Sequence, residues 1–134
     1  MELPKVLAMV ICDEIIEDVR TRKKSLIGLF NRISTKTLPA KHPKLHVFFV
    51  LTNGRGKYQA KLQLMYLNEL KVLHEFTAEI KFEDPNTVID FNFELMNVNF
   101  PKEGKYNFQL LLDGTLVAER VFQLSRSEKG DRQK

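Results

Sequence analysis

At 134 residues, with 43% apolar and 28% charged residues, the chain has the size and composition of one domain that buries a core without disulfide staples. The single cysteine, Cys12, excludes an internal disulfide framework and a cysteine-built zinc site, and it suits a reducing, cytoplasmic setting. The formal charge of +4 is concentrated: Arg20, Arg22, Lys23 and Lys24 supply four positive charges and the segment from Ser125 to Lys134 a net two, leaving −2 elsewhere. A basic pI near 9.2 therefore does not describe a basic surface, and it does not by itself imply a nucleic-acid binder.

Val6 to Cys12 is a continuous apolar run, as expected of a strand covered on both faces. It is too short for an export signal, lacks a small-residue cleavage site, and no stretch approaches the ~20 apolar residues of a membrane-spanning helix. Asp13 to Lys24 sets Ile15, Ile16 and Val19 among acidic residues before the basic cluster. An amphipathic helical turn and a strand-and-turn both fit it. Leu26 to Ile33 reads as a second strand, with Gly28 marking a bulge or a close backbone approach.

Thr37 to Pro43 is expected to be a loop, because Pro39 and Pro43 cannot donate to a ladder. Leu45 to Thr52 is apolar on both phases. Asn53-Gly54-Arg55-Gly56 is a turn that opens a long hairpin from Tyr58 to Phe82. In its first strand, Tyr58, Ala60, Leu62, Leu64 and Tyr66 take the core phase and Gln59, Lys61 and Gln63 the water phase. In its second, Val72, Phe76, Ala78, Ile80 and Phe82 face inward. After a turn at Glu83 to Asn86, Ile89, Phe91, Phe93 and Leu95 share an inward phase that slips near Met96 and Asn97, where a bulge or a sheet-switching bend is predicted.

The closing stretch, Phe100 to Leu124, carries the strongest local signal. Asp113-Gly114 between apolar runs predicts a type I′ hairpin turn, which needs positive φ at both residues. Tyr106, after the turn Pro101 to Gly104, matches the tyrosine corner of immunoglobulin-like sandwiches, so its side chain should be buried with its hydroxyl on backbone. The register of the last strand stays open, because Arg120 shares a phase with Ala118, Phe122 and Leu124. The sum is an all-β, immunoglobulin-like antiparallel sandwich of seven or eight strands over residues 1–124, with a polar tail over 125–134.

Chemistry is sparse. His42 and His46 straddle Pro43, His74 sits on an apolar phase, and no spacing joins them into a metal site. The carboxylates Asp13, Glu14, Glu17 and Asp18 read as a solvated acidic turn beside the basic cluster. A hydrolase built from Asp13, Glu17 and a histidine would need them in one pocket. No catalytic, metal or cofactor residues are expected, and no cofactor. Arg20, Arg22, Lys23 and Lys24 are the candidate anion contacts.

Two segments carry a resemblance. VLAMVICDEIIED followed by KKSLIGLFNRI, and the closing Phe-Pro-x-x-Gly-x-Tyr-x-Phe with its Asp-Gly, resemble an uncharacterised bacterial family of small immunoglobulin-like β-sandwich proteins. The resemblance implies the sandwich fold and transfers no site residues. The functional expectation is a non-enzymatic binding or structural module acting by protein–protein contact. A protein partner or self-association would use an edge strand, with no membrane and nucleic acid disfavoured. The alternative is an anion or nucleic-acid binder using the basic cluster.

Overall fold

Alternation of apolar and polar residues puts nearly the whole chain into strands. The computed structural model describes residues 3–128. Among these residues nine strands, rather than the seven or eight expected, follow in order: β1 (Lys5–Glu17), β2 (Lys24–Leu29), β3 (Arg32–Thr35), β4 (Ala40–Thr52), β5 (Gly56–Tyr66), β6 (Lys71–Phe82), β7 (Val88–Phe100), β8 (Gly104–Leu112) and β9 (Thr115–Arg126). They form two sheets, ordered β2-β1-β4-β7 and β3-β9-β8-β5-β6. Every pairing is antiparallel except that of β3 with β9. Taking β1, β4 and β7 as A, B and E, and β5, β6, β8 and β9 as C, C′, F and G, gives the immunoglobulin-like arrangement.

The core lies between the sheets and follows the expected phases except at the start of β6, where a register shift leaves Val72 exposed and packs Leu73 on the core. Tyr58, Ala60, Leu62, Leu64 and Tyr66 of β5 are buried, as are Tyr106, Phe108, Leu110 and Leu112 of β8. Opposite them, Leu45, Val47, Phe49 and Leu51 of β4 are fully buried. Rings stack at the centre: Tyr106 and Phe122 lie 5.6 Å apart, and Phe108 and Phe122 5.3 Å. Such aromatic pairs add to what area burial alone contributes.

Local signals explain several details. Asp113 and Gly114 both have positive φ, as a type I′ turn requires. The Tyr106 hydroxyl donates to the carbonyl of Lys102 at 2.5 Å, and the hydroxyl oxygen accepts the Lys102 N–H at 3.3 Å. The tyrosine corner is therefore formed. The phase slip in β7 is taken up at Asn97, whose φ is 53°, leaving Met96 exposed and Val98 and Phe100 buried, and no bulge forms, since the ladder with β4 keeps one register throughout. In the last hairpin the register shifts between Leu110 and Leu111, which puts Arg120 opposite Phe108.

Other expectations change. Leu26 to Ile33, expected as one strand, is two strands in different sheets: β2 pairs with β1, and the chain then crosses so that β3 pairs with β9. No helical turn forms between Asp13 and Lys24, where β1 continues to Glu17 and a turn leads into β2. Pro43 lies inside β4. The ladder with β1 ends at Cys12 opposite His46, so Pro43 has no strand on that side that needs an N–H. The Asn53 to Gly56 turn joins β4 to β5 across the two sheets, and the β5–β6 hairpin turns at Leu67 to Leu70. Ser125 and Arg126 belong to β9 and pair with Ser34 and Thr35, so the polar tail begins after them. Its residues 129–134 lie outside those described.

The β1–β2 hairpin leaves the sheet plane. β2 and β7 are the sheet's two edges, yet Lys24 of β2 forms an ion pair with Asp90 of β7. The hairpin's free end must therefore fold across the outer face of the sheet. Beneath it Cys12 and His46, both on the outward phase, are buried.

Candidate functional site

Three places gather the polar residues that the sequence singles out. The first is the tip of the β1–β2 hairpin. Asp18 closes the turn: its Oδ1 accepts the N–H of Arg20 at 2.8 Å and of Thr21 at 3.0 Å. Those backbone bonds hold its carboxyl below the usual carboxylate range. Arg22, at φ 65°, turns back to Glu17, with Nε 3.2 Å from Oε2. Lys24 is engaged by Asp90. Of the four expected anion contacts, only Arg20 and Lys23 thus carry no ion pair among the described residues.

The second is a cleft of about 190 Å³ where the chain crosses from β2 to β3, lined by Asp13, Gly28, Leu29, Phe30, Arg32, Ile33 and His42. His42 Nε2 donates to Asp13 Oδ1 at 3.1 Å, and the Phe30 ring lies 5.6 Å from the imidazole. Gly28 makes room for this pair, since a Cβ there would sit 2.8 Å from Asp13 Oδ2. The arrangement could hold or move a proton. No hydroxyl or thiol is among its lining residues. Asp13 does meet a histidine, but Glu17 is committed to Arg22 at the hairpin tip, away from that cleft.

Next to it, Lys44 Nζ lies 2.9 Å from Glu14 Oε1 and 3.7 Å from Glu94 Oε2, linking β1, β4 and β7. The hydrogen bond from Lys44 lowers the Glu14 pKa, and the same bond raises that of Lys44. His46 Nδ1 donates to Asn92 Oδ1 at 2.9 Å, with Nε2 3.8 Å from Glu14 Oε1. Cys12 is enclosed here, and its burial pushes the thiol pKa up, away from a nucleophile's range. No group of three or more metal-ligating side chains occurs among the described residues. His74 stands exposed on β6, beside Phe76 at 6.2 Å.

The third place is a backbone feature. β6 is a twelve-residue edge strand with β5 on one side and no strand on the other among the described residues. Its ladder to β5 runs without a break from His74 to Phe82. Outward it shows Glu75, Thr77, Glu79 and Lys81. Inward it shows Phe76 and Ala78, both half-buried, then Ile80 and Phe82. Of the other sheet's two edges, β7 has a positive φ at Asn97 and is crossed at Asp90 by the ion pair from Lys24 of β2.

Residues 7–125 match the family of unknown function DUF6941. The chain belongs to that family. Comparison with curated proteins finds no match. Among solved structures, an immunoglobulin-like protein of Pseudomonas aeruginosa is similar at 12% identity and a TM-score of 0.40, over 92% of this chain and 97% of that one. An alkylpurine DNA glycosylase of Pseudomonas fluorescens, bound to DNA with an abasic-site analogue, is similar at 11% identity and a TM-score of 0.48. That likeness covers 70% of this chain, and the chain spans 27% of the glycosylase's length. No helix among the described residues is long and apolar enough to cross a membrane.

Which polar residues the fold would join was not readable from their spacing. The Asp13–His42 pair spans 29 positions and the Lys24–Asp90 pair 66. The one usable signal was Gly28, which marked the close approach of backbone to Asp13.

Proposed function

We propose that the domain is a non-enzymatic binding or structural module that works by protein–protein contact through β6. The observation that carries this reading is the long, regular, unpartnered edge. A strand with a free row of N–H and C=O groups is a template for another strand, and its exposed side chains select the partner. The single buried cysteine is compatible with a cytoplasmic setting. A photo-crosslinking amino acid at Thr77, on the outward phase of this edge, is expected to trap a protein of defined mass in cells. The same residue at the exposed Lys105 of β8 is not. Equal or absent adducts at the two positions would refute the reading.

The alternative, anion or nucleic-acid contact through Arg20, Arg22, Lys23 and Lys24, has less support. Glu17 and Asp90 already neutralise two of the four cations. It requires salt-dependent binding to DNA or RNA that is lost when all four are changed to glutamine.

A further inference from the structure

We infer that the strand received by β6 is β6 of a second copy of this chain, paired antiparallel about a two-fold axis at Ala78. This rests on the proposed use of β6 as a docking edge and names its partner. In a two-fold antiparallel pair with the axis normal to the sheet, outward residues must stand opposite outward residues, so only even registers exist. With the axis at Ala78, residues 74–82 overlap. Glu75 then stands opposite Lys81 of the second copy and, by symmetry, Lys81 opposite Glu75, while Thr77 faces Glu79.

The neighbouring registers are worse. An axis at Thr77 sets Glu75 against Glu79 on both sides of the dyad. An axis at Glu79 sets Glu79 against itself and Glu75 against Glu83. An axis at Phe76 sets Lys71 against Lys81, and one at Ile80 pairs Glu79 with Lys81 but overlaps only residues 78–82. Like charges directly opposite destabilise a strand pair and unlike charges stabilise it, so the charge pattern that guards this edge against other strands fits it to itself. On the inward phase the same axis brings Phe76, half-buried in one copy, against Ile80 of the other, with small Ala78 side chains meeting at the dyad. Intrachain partners would have to share these charges: Lys61 Nζ is 3.9 Å from Glu75, and Glu83 is 3.3 Å from Lys81 Nζ.

Edge pairing alone buries less than a standard interface, so association should be weak, and sedimentation should be followed up to about 1 mM protein. The wild-type weight-average mass is expected to rise from monomer toward dimer. E75K and K81E each place like charges at both symmetric positions, and each should weaken association by roughly tenfold or more. An equimolar mixture of E75K with K81E restores both opposite-charge pairs and should associate as the wild type does, as should the E75K/K81E double variant. Glu75 and Lys81 are both solvent-exposed, and unchanged circular dichroism checks the fold. A monomer throughout, or a dimer indifferent to the swaps, overturns the inference. A foreign protein trapped at Thr77 together with a monomeric pure protein would remove self-pairing and leave the proposed function standing.

Discussion

Gly28 of β2 lies against the carboxylate of Asp13 in β1, so close that a Cβ on Gly28 would sit 2.8 Å from Oδ2 and 3.1 Å from the Asp13 Cβ. The contact is what lets Asp13 reach His42 at the crossing between the two sheets. Gly28 also has φ 75°, a conformation that costs an L-residue roughly 1–2 kcal/mol. Gly28→Ala should therefore destabilise the domain by about 1–3 kcal/mol, the strain adding to the displacement of Asp13. In an Asp13→Ala background the same change should cost less, because the carboxylate is gone. Urea unfolding of the two single variants and the double variant measures this, and strict additivity would contradict it.

Tyr106 makes a second prediction. Its ring is fully buried and its hydroxyl closes the corner on Lys102. Tyr106→Phe keeps the ring and orphans the backbone, so it should cost about 1–3 kcal/mol. Burial, the larger influence, raises the phenol pKa above its usual 10.0 against the lowering effect of the backbone bond. The folded value exceeds the unfolded one. This contribution is therefore full below pH 10 and is lost as pH rises through the folded value. Stability curves of Tyr106→Phe should fall less steeply above pH 10 than those of the wild type. Parallel curves would argue against this role.

These two sites also mark the limits of the sequence. The hairpin at Asp113-Gly114, the buried phases of β5 and β8 and the Tyr106 corner were all legible, because each depends on residues within one or two turns of chain. The break between β2 and β3 was not. Leu26 to Phe30 runs apolar without alternation, and which sheet each half of Leu26 to Ile33 joins depends on partners in β1 and β9. Pro43 misled for a similar reason: its missing N–H is harmless only because β1 stops pairing at Cys12. That β6 is an edge follows from strand order, and alternation does not encode strand order.

Leu70 offers a stabilising change. It ends the β5–β6 turn at φ 51°, and its side chain is 77% exposed, so it bears left-handed strain without burying apolar surface in return. Asparagine visits this conformation more readily. Leu70→Asn should raise stability by about 0.5–1 kcal/mol, seen as a higher urea midpoint at unchanged slope. A lower midpoint would mean that Leu70 is needed for packing.

The Glu14–Lys44 pair ties β1, at the base of the hairpin, to the outer face of β4, and it should give the domain a pH signature. Lys44 lowers the Glu14 pKa from its ordinary 4.5, chiefly by hydrogen bonding and then by charge. A carboxyl with a depressed folded pKa contributes stability that is present above its unfolded value and is lost as pH falls through the folded one. Lys44 behaves oppositely: raised above 10.5, it contributes fully below that value and is lost as pH climbs through the higher folded pKa. Glu14→Gln should therefore flatten the decline of melting temperature below pH 4.5, and Lys44→Met should flatten the decline above pH 10.5. Both groups are solvent-accessible, so the neutral-pH cost of either change should be small and should shrink further in salt. An acid limb equally steep in Glu14→Gln and in the wild type would show that Glu14 is not held by Lys44 in solution, and the hairpin would then depend on Lys24 and Asp90 to stay on the sheet.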